Sequence, residues 1–193
     1  MITQDWVLQA DLTPMHPHTI LHFWFNELTP KQHFVKDADL DEAIRTRFGA
    51  TLEAAARCEL FAWRATPEGR LAEILVLDQF SRNVHRDTVR AFAQDALALA
   101  LAQELVASGQ DRSLTLAQRS FAYMPFMHSE STLVHTQAVA LFSQPGMDDS
   151  LRFELRHQDI INRFGRYPHR NAVLGRSSTA EELVFLSEPG SGF

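Results

Sequence analysis

Apolar residues recur at three- and four-residue intervals along most of the chain, the period of helices that bury one face. Pro17 suits a first helical turn, and the pattern through Ile20, Leu21, Phe23, Trp24, Phe25 and Leu28 predicts a helix buried on most sides. A second helix is expected from near Asp39, with Asp39 and Glu42 as a capping box and Gly49 as a weak point or close helix contact. Thr66-Pro67 reads as a cap followed by proline at the first helical position. The helix it opens runs to about Ser81 through LAEILVLDQF, apolar on nearly every side, and is the candidate central helix. Asp87 is expected to cap the next, which continues to about Ser108 and stops at Gly109. Alternating Ala and Leu in that segment could suggest a strand, but its length and helix propensity favour a helix.

Thr115 with Gln118 marks another capping box, and Pro125 is expected to kink or break that helix. Further helices are expected over about Thr132–Phe142, from Asp148 or Asp149 to a stop at Gly165, and from a Ser178–Glu181 cap to Leu186. Residues 1–15 read as an irregular leader and 187–193 as a loose tail. About eight helices with short connections and no strand predict one all-α domain, in which antiparallel helical hairpins are possible without a visible repeat. The chain of 193 residues suits that size.

Charge is where the pattern stops being ordinary. The stretch RHQDIINRFGRYPHRNAVLGR, Arg156–Arg176, holds five arginines and one aspartate, a net +4 in a chain of net −6. Guanidinium forks suit carboxylates and phosphates, so the anions answering them are either the protein's own acids or a ligand's. The pI near 5.8 argues against a generic nucleic-acid partner. The longest apolar run, Ala96–Ala102, falls far short of the roughly 20 residues that span a bilayer. The single cysteine, Cys58, excludes an internal disulfide framework, and the N-terminal residues lack a signal-peptide pattern; a cytoplasmic location is expected.

Four segments carry the remaining polar chemistry. Asp78, in LVLDQF, is expected to be buried, with Arg82 one turn on; the structural reading is an ion pair and the functional one a pocket wall. Arg82, Asn83, His85 and Arg86 end their helix, where cations complement its dipole, though Asn83 adds nothing to that. His128, Ser129 and Glu130 follow Pro125, either as a site on irregular backbone or as the cap of the next helix. His157 shares a face with Phe153, Ile160 and Phe164, which reads as a core histidine. Gly165–Asn171 throws out Arg166, His169, Arg170 and Asn171 from a sharp turn, to hold a ligand or to lock helix ends.

FWF at Phe23–Phe25, LDQFSRN at Leu77–Asn83, FAYMPFMHSE at Phe121–Glu130 and RFGRYPHRNAVLGR at Arg163–Arg176 resemble the mainly bacterial domain-of-unknown-function 924 family over nearly the whole chain. That resemblance implies an all-helical, tetratricopeptide-like, right-handed array, and it implies no activity. Ser81 departs from it, standing where the family often has proline, and Glu73 is more polar than the family leads one to expect.

The leading expectation is a binding module for a phosphate or carboxylate, held by Arg82, Arg166, Arg170 and Arg176 and oriented by His128, His169 and Asn171, with Asn83, Ser129 and Glu130 beside them. An enzyme in the same pocket would draw its acid–base group from Asp78, His128, Glu130 or His169 and could be hydrolytic. A helical scaffold with a groove for a peptide or protein partner is the third. No phosphate loop, zincin motif or nucleophile elbow is present, no cofactor is expected, and metal ligation by His128, Glu130, His157 and His169 has no supporting spacing.

Overall fold

The computed structural model describes residues 15–192; nearly all of the expected leader lies outside them. Among the described residues there are eight helices and no strand. The first, α1, is Pro17–His22 continued by a π turn at Phe23–Glu27. Next come α2, Ala38–Ala56, and α3, which begins as Pro67–Leu75, widens into a π turn at Val76–Phe80 and ends as Ser81–Val84. Then follow α4, Asp95–Ala107; α5, Leu116–Met127; α6, Thr132–Phe142; α7, Asp148–Phe164; and α8, Ala180–Leu186.

Several local signals act as expected. Thr66 Oγ1 accepts from the Gly69 amide at 3.1 Å, with Pro67 following. Thr115 and Gln118 cap each other reciprocally. Gly165 ends α7 at φ 68, a left-handed position that suits glycine.

Other ends differ. Asp37, not Asp39, caps α2, accepting from the amides of Asp39 and Leu40. The last helix is capped by Thr179 with Glu182, one residue beyond the expected pair. Gly49 has no neighbour where a Cβ would stand, so no close helix contact explains it. Asp87 has φ 59, and a left-handed residue cannot serve as an extended N-cap. The chain instead makes a 3-10 turn at Val89–Phe92, and α4 starts at Asp95. Pro125 does not end α5, which continues two residues past it to Met127.

The core is one large cluster from α1 to α6. Trp24, Phe48 and Phe80 are almost fully buried, with ring centroids of Phe48 and Phe80 at 5.2 Å and of Trp24 and Phe80 at 5.7 Å. Burying such rings stabilises by roughly 2–3 kcal/mol each. α3 packs against α1, α2, α4 and α5, which makes it the central helix. The odd-numbered helices α1, α3, α5 and α7 also touch in succession. A second, smaller cluster joins Ile160, Ile161 and Tyr167 under the Arg-rich turn. Asp78, His128 and Arg170 bond to one another or to each other's backbone where α3, the end of α5 and that turn meet.

Candidate functional site

A π turn inserts an extra residue into a helix and rotates the residues after it, a device found often at functional sites. The turn in α3 contains Asp78, which is 1% exposed. Its Oδ1 accepts from His128 Nδ1 at 2.7 Å and lies 3.1 Å from Arg82 Nη1, while Oδ2 accepts from Gln79 Nε2 at 2.6 Å. Burial pushes this carboxyl up, but the charges of Arg82 and His128 and the donated hydrogen bonds outweigh it. Asp78 therefore stays ionised, far below the usual carboxylate range.

An ionised carboxylate can only accept, so His128 Nδ1 must carry the hydrogen. Burial, and then repulsion from Arg82, pull the His128 pKa down more than Asp78 raises it. The ring is therefore neutral at physiological pH, with its lone pair on Nε2. Nε2 has no hydrogen-bond partner among the described residues.

The backbone bearing His128 is held from beneath. Tyr167 donates its hydroxyl to Met127 O at 2.5 Å, and His135 Nε2 donates to Ser129 O at 2.9 Å. Glu130 Oε1 accepts from the Tyr167 amide at 2.8 Å and from Arg176 Nη2 at 2.9 Å; Oε2 accepts from Arg176 Nη1 at 2.6 Å. Burial raises the Glu130 pKa, but Arg176 and the amide bring it below its ordinary value. Ser131 makes no side-chain cap to α6.

His135 also lies 2.7 Å from Glu154 Oε1 through Nδ1, and both side chains are fully buried. Its Nε2 hydrogen is already committed to Ser129 O, so a further proton must lie between Nδ1 and the carboxyl. Burial raises the Glu154 pKa, and Glu154 Oε2 has no partner among the described residues. Both facts disfavour the charged form of Glu154.

The arginines are already answered from within. Arg82 meets Asp95 through two bonds of 3.0 Å and Asp78 O at 2.8 Å. Arg170 donates to Asp95 Oδ2 at 3.0 Å and His128 O at 3.1 Å, and its guanidinium lies over the rings of Phe92, at 4.6 Å, and Tyr167, at 4.8 Å. Arg176 pairs with Glu130 and, through Nε, with Asn171 Oδ1.

The fold thus gathers Asp78, Arg82, His128, Ser129, Glu130 and Arg170, with Arg176 and Asn171 behind Glu130. His169 lies beside Tyr167, its ring tilted by 36° with centroids 5.5 Å apart, and burial lowers its pKa to about 4. Arg166 lies apart, bonded to Glu182 at 2.7 and 2.8 Å. Asn83 also lies apart, donating to Asp41 at 2.7 Å beside Arg86. Asp95, His135 and Glu154 were not among the candidates. Asp95 sits in the first turn of an apolar helix, and the other two are 19 residues apart, so no local spacing marks them.

Between these groups and α4 lies an open cleft of about 410 Å³. It is lined by the apolar side chains of Val89, Phe92, Leu99, Pro125 and Leu174 and by the polar ones of Asp95, His128, Ser129, Glu130 and Arg170. Such a mixture of apolar lining and few polar groups is typical of small-molecule sites. Among the described residues no three His, Cys, Asp or Glu side chains are placed to hold a metal ion, and no helix is long and apolar enough to cross a membrane.

A family model described as a bacterial protein of unknown function, DUF924, matches residues 20–190. The solved structure of the protein of unknown function ATU0120 from Agrobacterium tumefaciens is similar at a TM-score of 0.84 and 38% identity, covering 89% of this chain and 96% of that one. No curated protein matches the chain. Neither name states an activity, so a functional reading has to come from the cleft.

Proposed function

The chain belongs to the DUF924 family of bacterial proteins of unknown function, and we propose that it binds a small organic molecule in the cleft and moves a proton through His128. One observation carries this reading: the His128 ring is fixed through Nδ1 by the buried, ionised Asp78, while Nε2 is left without a partner beside the cleft. A neutral imidazole oriented by a carboxylate behind it is the arrangement of a general base, and after accepting a proton it becomes the matching acid. Asp78 would hold the tautomer and stabilise the imidazolium. The apolar lining would seat the uncharged part of the ligand. Hydrolysis, with His128 drawing a proton from water, is the reaction class that asks least of the remaining residues.

The test is turnover on a panel of small esters, amides and phosphoesters, by the natural protein and by His128→Gln and Asp78→Asn. The reading expects one class to be turned over, with a loss of roughly a hundredfold to ten-thousandfold in His128→Gln. Turnover unaffected by His128→Gln would overturn it.

A second reading, retention of a carboxylate or phosphate without chemistry, is favoured by one fact. Arg170 borders the cleft, and its Nε has no partner among the described residues. Arg82 and Arg176 are each committed to an internal carboxylate, so the anion would depend on Arg170 alone.

A further inference from the structure

Two peptide planes meet at each Cα, and their tilt sets the direction in which its side chain leaves the backbone. At His128 both planes are fastened through their oxygens. Tyr167 Oη donates to Met127 O at 2.5 Å, and Arg170 Nη2 donates to His128 O at 3.1 Å. The next plane is fastened too, since His135 Nε2 donates to Ser129 O at 2.9 Å. A helix ends on carbonyls without partners in the helix, which side chains, water or a tightened last turn must answer. Here three in a row are answered by side chains that are themselves buried, Tyr167 and His135 at 0% exposure and Arg170 at 6%. Burial pushes the Tyr167 hydroxyl far above its ordinary pKa, so it keeps the hydrogen that it donates. Tyr167 is held in turn from the same segment. Its amide donates to Glu130 Oε1 at 2.8 Å, and its carbonyl accepts from Arg176 Nη2 at 3.1 Å.

Resting on the acid–base reading of the cleft, we infer that Tyr167 is a positioning residue for His128, acting through the Met127 carbonyl. With the flanking planes fixed, the imidazole keeps only the rotations about its own two side-chain bonds. The bond from Nδ1 to Asp78 Oδ1 at 2.7 Å stops both. Nε2 then stands in one place beside the cleft before any ligand arrives. Such tolerance matters, because a misplacement of about 1 Å at a reacting group costs on the order of a hundredfold in rate. The Arg-rich turn thereby serves the histidine rather than the ligand. Arg166 stands outside this task although it belongs to the same turn. Its bonds run to Glu182 and to Ser177 O, and none of them reaches residues 127–130.

Tyr167→Phe removes the hydroxyl and keeps the ring over which the Arg170 guanidinium lies. The readouts, on the full chain labelled with nitrogen-15, are the solvent exchange rate of the His128 Nδ1 hydrogen and the shifts of both ring nitrogens. The urea midpoint is measured beside them. In Tyr167→Phe the exchange is expected to quicken about tenfold, the equivalent of one hydrogen bond, and the ring nitrogens to shift. Arg166→Ala is expected to lower the urea midpoint and to leave both readouts where they were. A Tyr167→Phe chain that is less stable but has an untouched His128 ring would overturn the inference, because the hydroxyl would then serve the fold alone. Equal quickening in Arg166→Ala would also overturn it, since any loosening of the turn would then suffice. Should Tyr167→Phe not fold, Arg176→Lys loosens the hold on Tyr167 O while keeping a charge beside Glu130, and the same two readouts must move or the inference falls. A His128 Nδ1 without a hydrogen in the natural protein would sink the acid–base reading and this inference together. A hydrogen there that ignores Tyr167→Phe sinks this inference alone.

Discussion

His128 Nδ1 donates to Asp78 Oδ1 at 2.7 Å, joining the end of α5 to the π turn of α3 across 50 residues of chain. That bond settles which nitrogen of the ring faces inward and which is left for chemistry. It also lies beneath three ion pairs, Arg82 with Asp95, Arg170 with Asp95 and Arg176 with Glu130. The site therefore balances its own charges before any ligand arrives.

Removing the carboxylate should cost stability as well as activity. Asp78→Asn leaves Arg82 with one partner fewer and lets an amide face His128, and breaking a buried ion pair from one side costs roughly 3–5 kcal/mol. Arg82 keeps Asp95, so the lower end is expected. Urea unfolding of the variant against the natural protein measures it; a cost below about 1 kcal/mol would mean that Asp78 is not held as described.

Burial should let Glu154 keep its proton to a higher pH than an ordinary carboxyl. Infrared difference spectra recorded as pH falls are expected to show the carbonyl stretch of a protonated acid at a higher pH than for an exposed carboxyl, and the band should be absent from Glu154→Gln. The raised pKa means that this proton favours folding at low pH, and its contribution fades as pH rises through the folded-state value. A band that appears only at the pH of an exposed carboxyl would contradict this.

Acid should unfold the chain early. Burial lowers His157 to about 3 and His169 to about 4, from an ordinary value of 6.5. Above 6.5 both are neutral, folded or unfolded. As pH falls from there toward 4 the unfolded chain binds protons that the folded chain refuses. Stability then drops by up to roughly 1.4 kcal/mol per pH unit for each group. Thermal melts between about pH 7 and pH 4 should show a steadily falling midpoint, and the fall should be shallower in His157→Gln if that variant folds.

Arg166 should be separable from the cleft. Its bonds to Glu182 and to Ser177 O tie α8 to the Arg-rich turn. Arg166→Ala is expected to lower the urea midpoint of unfolding and to leave any turnover in the cleft unchanged. A loss of turnover without a loss of stability would place Arg166 at the site after all.

Helices were legible wherever a local signal sets them. Thr115 with Gln118, Thr66-Pro67 and Gly165 each act within a few residues, and each works in the fold as its chemistry suggests. The start of α4 was not, because Asp87 looks like a cap until its left-handed backbone is seen. That displacement conceals Asp95, whose role as the shared partner of Arg82 and Arg170 arises only in three dimensions. Likewise Asp78 could be read as a buried acid beside Arg82 from their spacing alone, but nothing local brings His128 to its other side. Arg166 and Arg170 are neighbours in one turn yet face different acids, since the direction of each side chain is decided by the helices packed on either side of that turn.

The tautomer of His128 decides whether its Nε2 can act as the base. Long-range proton–nitrogen spectra of the natural protein at neutral pH should show a neutral ring with its hydrogen on Nδ1 and a bare Nε2, and Asp78→Asn should disturb that state. A ring that is charged at neutral pH, or that carries its hydrogen on Nε2 in the natural protein, would contradict the proposal that this nitrogen is the base.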